Sequence, residues 1–140
     1  MSFAPKNFTA SATLTASDAE TICTVNAAAG LTLTLPAATG SGINFKVFIG
    51  TTVTSNNVII QVANASDVMA GLVISAADAG DTLNGWETAS TSDTITLNGT
   101  TKGGVKGDLY ELTDCAANLW AVMGRSSSTG TEATPFSAAV

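Results

Sequence analysis

No histidine occurs anywhere in the 140 residues. This removes the commonest general base, the commonest zinc and copper ligand, and every Ser-His or Cys-His nucleophile arrangement. Charge is also scarce. Asp, Glu, Lys and Arg make up 11% of the chain, against roughly 25% in ordinary globular domains. Cysteine occurs twice, at Cys23 and Cys115, with no C-x-x-C spacing, so neither a redox dithiol nor a thiolate metal site is indicated. The two thiols are expected to be buried and unbridged. No apolar run approaches the ~18 residues of a membrane span, and Met1 to Ala10 carries one Lys and no hydrophobic core of a secretory leader. The chain is therefore expected to be made and used in the cytosol.

The charge that is present is acidic, with 11 Asp and Glu against 5 Lys and Arg for a net charge of −6. That field repels phosphate backbones and anionic membrane surfaces, so neither nucleic acid nor membrane is an expected partner. The rest of the surface must consist of Ser, Thr, Asn, Gly and Ala. Neutral polar groups lose less than ions when water is removed, so such a surface is suited to being covered by another protein.

Period-two alternation dominates the pattern, in short bursts separated by turn residues. Leu31-Thr32-Leu33-Thr34-Leu35, closed by Pro36, puts leucines on one face and threonines on the other. Ile43 to Ile49 turns Ile43, Phe45, Val47 and Ile49 inward and Lys46 outward. Val58 to Val62, Thr94 to Leu97, Leu109 to Leu112 and Leu119 to Met123 repeat the pattern, with weaker signals at Thr13 to Thr15, Ile22 to Val25 and Leu72 to Ser75. Asn98-Gly99 reads as a tight turn. Helix is limited to a turn or two at Ser17 to Thr21 and Ala76 to Gly80, because neither stretch has a 3.6-residue apolar stripe. The expectation is an all-β fold: an antiparallel sandwich or barrel-like domain over 11–125, an extended N-terminal arm over 1–10 and a C-terminal tail over 126–140.

The two ends contain few bulky apolar groups. Ordering a backbone residue costs about 1–2 kcal/mol, so the ends need support. They could pack on their own domain. The favoured expectation is that a neighbouring subunit holds them, with Phe3, Pro5, Phe8, Pro135 and Phe136 as the partner interface.

Reactive chemistry is hard to assemble from what remains. Gly99-Thr100-Thr101-Lys102-Gly103-Gly104-Val105-Lys106-Gly107 has glycines and lysines, but no Gly-Lys-Ser/Thr at P-loop spacing and no helix behind it, so a flexible hairpin linker is expected. Asp78-Ala79-Gly80-Asp81 lacks the ligand count of a calcium loop. Glu87 beside Trp86, with Asp93, is the one acid pair near an aromatic platform, and it reads as solvated surface. No catalytic residue, cofactor or metal is expected.

Leu33 to Val47, with its Leu35-Pro36 strand end and small-residue turn, is followed much later by Gly107-Asp108-Leu109-Tyr110-Glu111-Leu112 and Ala117-Asn118-Leu119-Trp120-Ala121-Val122. Over roughly residues 11–124 this arrangement resembles tailed-bacteriophage virion proteins, and most of all the capsid decoration, or cement, proteins. The resemblance implies a viral structural protein on the outer surface of the virion, synthesised in the host cytoplasm. It also implies a homo-oligomer, with a trimer favoured, that bridges subunits of the major capsid protein and stabilises the capsid. Similar modules end phage tail fibres, which leaves a glycan-binding adhesin module as the alternative. No site residue is carried over.

Overall fold

The computed structural model describes residues 4–78, 80 and 82–140. The alternating segments form strands β1 (Lys6–Phe8), β2 (Ala12–Thr13), β3 (Ile22–Val25), β4 (Leu31–Thr34), β5 (Asn44–Ile49), β6 (Val58–Gln61), β7 (Val68–Ala77), β8 (Thr82–Glu87), β9 (Thr94–Leu97), β10 (Leu109–Ala116), β11 (Leu119–Ser128) and β12 (Phe136–Ser137). The one helical element among the described residues is a 3-10 turn at Ala16–Glu20. Among the described residues no helix is long and apolar enough to cross a membrane.

The strands form two sheets, one of seven in the order β1-β3-β5-β10-β11-β7-β8 and one of five in the order β12-β9-β6-β4-β2. The all-β expectation holds, but the antiparallel one needs correction, because both sheets are mixed. β1–β3, β3–β5, β7–β11, β2–β4 and β4–β6 pair in parallel. The reason lies in the chain path: from β1 to β6 successive strands go to alternate sheets. Each return to a sheet therefore follows a strand of the opposite sheet. That strand does the work of the long crossover connection that parallel neighbours require.

Alternation sets the core. Leu31 and Leu33 are buried while Thr32 and Thr34 stay half-exposed, and Phe45, Val47 and Ile49 are fully buried while Lys46 is exposed. Val58, Ile60, Ile95 and Leu97 from one sheet meet Tyr110, Leu112, Trp120 and Val122 from the other in a single cluster. Burying each such side chain contributes about 1.5–3 kcal/mol.

The segment expected as an arm, 1–10, contains β1, and residue 126 falls inside β11. β1 extends the seven-stranded sheet, with Phe8 opposite Val25. The Lys6 ammonium donates to Asp18 at 2.6 Å. β11 runs through Ser128, and β12 pairs with β9 through Phe136 opposite Ile95. Between them, Thr129 N donates to Thr100 O and Ala133 N to Thr101 O. The chain's own sheets thus supply the support that the low-complexity ends need.

Candidate interaction surface

The acid and thiol groups singled out in the sequence do not converge. Glu87 is exposed on β8, whereas Asp93 is buried and accepts from Thr94 Oγ1 at 2.7 Å and from the Ala139 amide at 2.8 Å. Asp93 is therefore a structural acceptor and not solvated surface. Asp78 accepts from the Gly130 amide, while Ala79 and Asp81 of the same turn lie outside the described residues. Cys23 and Cys115 are both free. Cys23 is buried, and burial pushes its thiol up to about 11. Cys115 is exposed, contrary to the expectation of two buried thiols, because it follows Asp114 beyond the inward alternation of β10. Among the described residues no group of three His, Cys, Asp or Glu side chains could hold a metal ion.

The segment expected to be a flexible hairpin linker is instead built around Asp108. This buried carboxylate accepts from the amides of Gly104 (2.9 Å), Val105 (3.0 Å) and Ser127 (2.9 Å), and the Tyr110 hydroxyl lies at 3.5 Å. Gly103 and Gly104 are buried with φ of 82° and 89°, a region that glycine enters without strain. Burial raises the Asp108 carboxyl to about 6 against the pull of those donors. It also raises Tyr110 well above its ordinary value, with the Asp108 charge adding to the effect.

Asp114 fixes a second loop. It accepts from the amides of Thr39, Gly40 and Ser41 and from the hydroxyls of Thr39 and Ser41, the last at 2.6 Å. Burial by itself would raise this carboxyl. The Ser41 hydroxyl and the three amides outweigh it and hold Asp114 far below the usual carboxylate range. Thr39 also bridges to Ala117 in the β10–β11 turn. The β5–β10–β11 end of the seven-stranded sheet therefore presents two locked, neutral loops, 39–42 and 115–118, whose residues are all exposed.

The proposed anchors are distributed differently from the expectation. Phe3 lies outside the described residues, and Pro5 is exposed. Phe8 and Phe136 belong to the chain's own core at 5% and 7% exposure, and Pro135 is buried next to Phe136 in sequence. Phe8 and Phe136 stand on edge strands of different sheets. The apolar surface of Phe8, Pro135 and Phe136 is largely consumed within the domain.

The apolar surface left uncovered lies on the outer face of the seven-stranded sheet. Leu72 and Ile74 of β7, Leu83 of β8 and Met123 of β11 are exposed by 37%, 43%, 69% and 67%. Register places them together. Met123 stands opposite Leu72, Arg125 opposite Ile74, and Ala76 opposite Leu83. Leu109 and Glu111 of β10 complete a shallow depression of about 330 Å³ over this face. Lys46, Arg125, Glu87 and Glu111 also project from it, two charges of each sign on a chain of net charge −6. Among the described residues the one ion pair is Lys6–Asp18, so none of these four forms an ion pair with another described residue. Compared with protein-family models, with curated proteins and with solved structures, the chain matches none.

Sequence reasoning missed this face, although a signal was present. Val68-Met69-Ala70-Gly71-Leu72-Val73-Ile74 is apolar at both parities. A strand written that way has two faces to cover, and here one of them is covered by nothing among the described residues.

Proposed function

We propose that this chain is a capsid decoration protein that binds the outside of a phage head and stabilises it by bridging major capsid protein subunits. The observation that carries the reading is that apolar side chains, and charges with no ion-pair partner among the described residues, stand exposed on the outer face of the seven-stranded sheet, which fits a chain that works through protein contact. A contiguous apolar patch of this kind marks a surface made for protein contact. The locked, neutral loops at 39–42 and 115–118 fit the same reading, because a loop already fixed by Asp114 loses little conformational entropy when a partner covers it. The motif resemblance supplies the partner class. Many modest contacts repeated around a closed shell hold through avidity.

The alternative of a glycan-binding fibre module needs an exposed aromatic platform. Tyr110 and Trp120 are buried, and Trp86 is half-buried against the core. No specific feature favours that reading.

The test is to mix purified protein with undecorated phage heads and image them. Symmetric copies on the outer surface, together with a rise in the temperature at which heads rupture, are the expected result. Heads that remain bare at saturating protein would sink the reading.

A further inference from the structure

We infer that the outer face of the seven-stranded sheet is a two-fold self-pairing surface, and that its occupant is a second copy of this chain. This deepens the decoration reading and rests on it for its purpose, since a pair of domains is a device for bridging, but it puts a dimer in place of the trimer that the resemblance favours.

The inference follows from one cross-strand row. Lys46 stands opposite Glu111, Glu111 opposite Met123, Met123 opposite Leu72, and Leu72 opposite Glu87. The strands run in the order β5-β10-β11-β7-β8, so Lys46 and Glu87 lie two strands to either side of Met123. A two-fold axis parallel to β11 and passing over Met123 turns the sheet onto a copy of itself and exchanges the two sides. Lys46 then faces the second copy's Glu87, and Glu87 faces its Lys46. Two ion pairs form from charges that have no ion-pair partner among the described residues, Lys46 having Glu111 only as its cross-strand neighbour.

The next row is complementary in shape. It reads Phe48, Leu109, Arg125, Ile74, Gly85. Under the same axis Leu109 meets Ile74, and the large Phe48 ring meets Gly85, which has no side chain. Arg125 lies on the axis column and meets its own counterpart. The second copy's Glu111 is one strand and one row away, roughly 8 Å along the face and about 10 Å across the stack, so about 13 Å between backbones, a gap that an arginine and a glutamate side chain span together. Stacked sheets keep their strand directions within about 30° of each other, which admits the aligned stacking this axis produces, and an interface that pairs the same patch on both copies is the commonest form of oligomer.

The axis runs along the strands, so it leaves their direction unchanged. Both copies therefore present loops 39–42 and 115–118 at the same end of the pair. Two neutral, locked contact loops then point side by side toward a shell, one for each of two capsid subunits.

The face spans four strand spacings by about six residues, roughly 19 Å by 20 Å. That is smaller than the ~800 Å² per partner of a standard stable interface. Pairing is accordingly weak in dilute solution and strengthened by high local concentration on a shell.

Sedimentation equilibrium of the full chain, up to about 0.5 mM, reads the pairing without heads. Wild type is expected to populate a dimer. Met123 faces its own copy, so Met123→Lys sets two like charges together and weakens the dimer by about 100-fold or more. Met123 is 67% exposed, and an unchanged melting temperature confirms that the variant folds. Lys46→Glu weakens pairing by about tenfold, and the double variant Lys46→Glu/Glu87→Lys restores it to within about threefold of wild type. A wild type that is monomeric throughout, a dimer indifferent to these variants, or a trimer would each overturn the two-fold pairing. Heads left bare by a wild type that dimerises as described would overturn the decoration reading and leave the pairing standing.

Discussion

Lys46 and Glu87 occupy the same cross-strand row of the seven-stranded sheet, two strands to either side of Met123, and neither has an ion-pair partner within the described part of the chain. Both side chains are exposed. Reversing Lys46 to Glu sets it opposite Glu111 on β10, so the isolated domain is expected to lose no more than about 1 kcal/mol. Urea melts at low protein concentration check this. A loss of several kcal/mol would mean that Lys46 has a structural role inside the fold.

Asp114 holds the 39–41 loop through three amides and two hydroxyls. Asp114→Ala removes the acceptor for all of them. Hydrogen bonds to a charged group contribute about 1.5–3 kcal/mol each, but Thr39, Gly40 and Ser41 are exposed and water can recover part of that. The expected loss is about 2–3 kcal/mol by chemical denaturation, with faster amide exchange at Gly40 and Ser41. Unchanged exchange there would contradict the locked-loop description.

Stability should pass through a maximum on the acid side of neutrality. The Asp108 carboxyl is raised to about 6 in the fold, against an ordinary value of 3.8. Between those two values the native state binds more protons than the unfolded chain, so stability rises as pH falls from 7 toward 4, by up to about 3 kcal/mol. Asp114 and Asp18 are shifted the other way. For Asp18 the Lys6 ammonium and the Thr15 amide outweigh the opposing effect of burial. Their contribution is complete above 3.8 and is lost as pH falls below it. Asp108→Asn is expected to abolish the rise and leave the fall, as measured by melting temperature across pH 3–8. A rise that persists in that variant would assign it to another group.

Gly71 lies in β7 with φ of 152°, and a Cβ there would sit 1.8 Å from the Val122 carbonyl oxygen of β11. Gly71→Ala must push apart two strands that pair over ten residues, and a loss of about 3 kcal/mol or more is expected. Gly42, with φ of 78° and nothing within 4 Å of its Cβ position, is the control. Its alanine variant should lose only about 1 kcal/mol.

Much of the strand content was legible because one-sided burial imprints period two. Leu31 to Thr34, Asn44 to Ile49, Val58 to Gln61 and Leu109 to Leu112 all sit where alternation places them. Strand direction was not legible, since it depends on which sheet each crossover visits, and β4 looks the same whether its neighbour runs up or down. β8 carries Asn84 and Gly85, poor strand formers in isolation, and owes its form to pairing with β7. Phe8 and Phe136 show a different limit. Their sequence context says that an aromatic is present at each end, but not whether its partner is Val25 and Ile95 of the same chain or another molecule. The uncovered face was partly legible in the unbroken apolar run of β7. Its balance of charges emerges only from a register that joins residues 46, 111, 123, 72 and 87.

The central claim is that this chain works by covering and being covered by protein. Cryo-electron microscopy of undecorated heads incubated with the purified chain tests it most directly. Ordered copies at symmetry-related positions outside the shell, each contacting two capsid subunits with the 39–42 and 115–118 loops facing inward, are the predicted result. Shells that show no added density at saturating protein would contradict it.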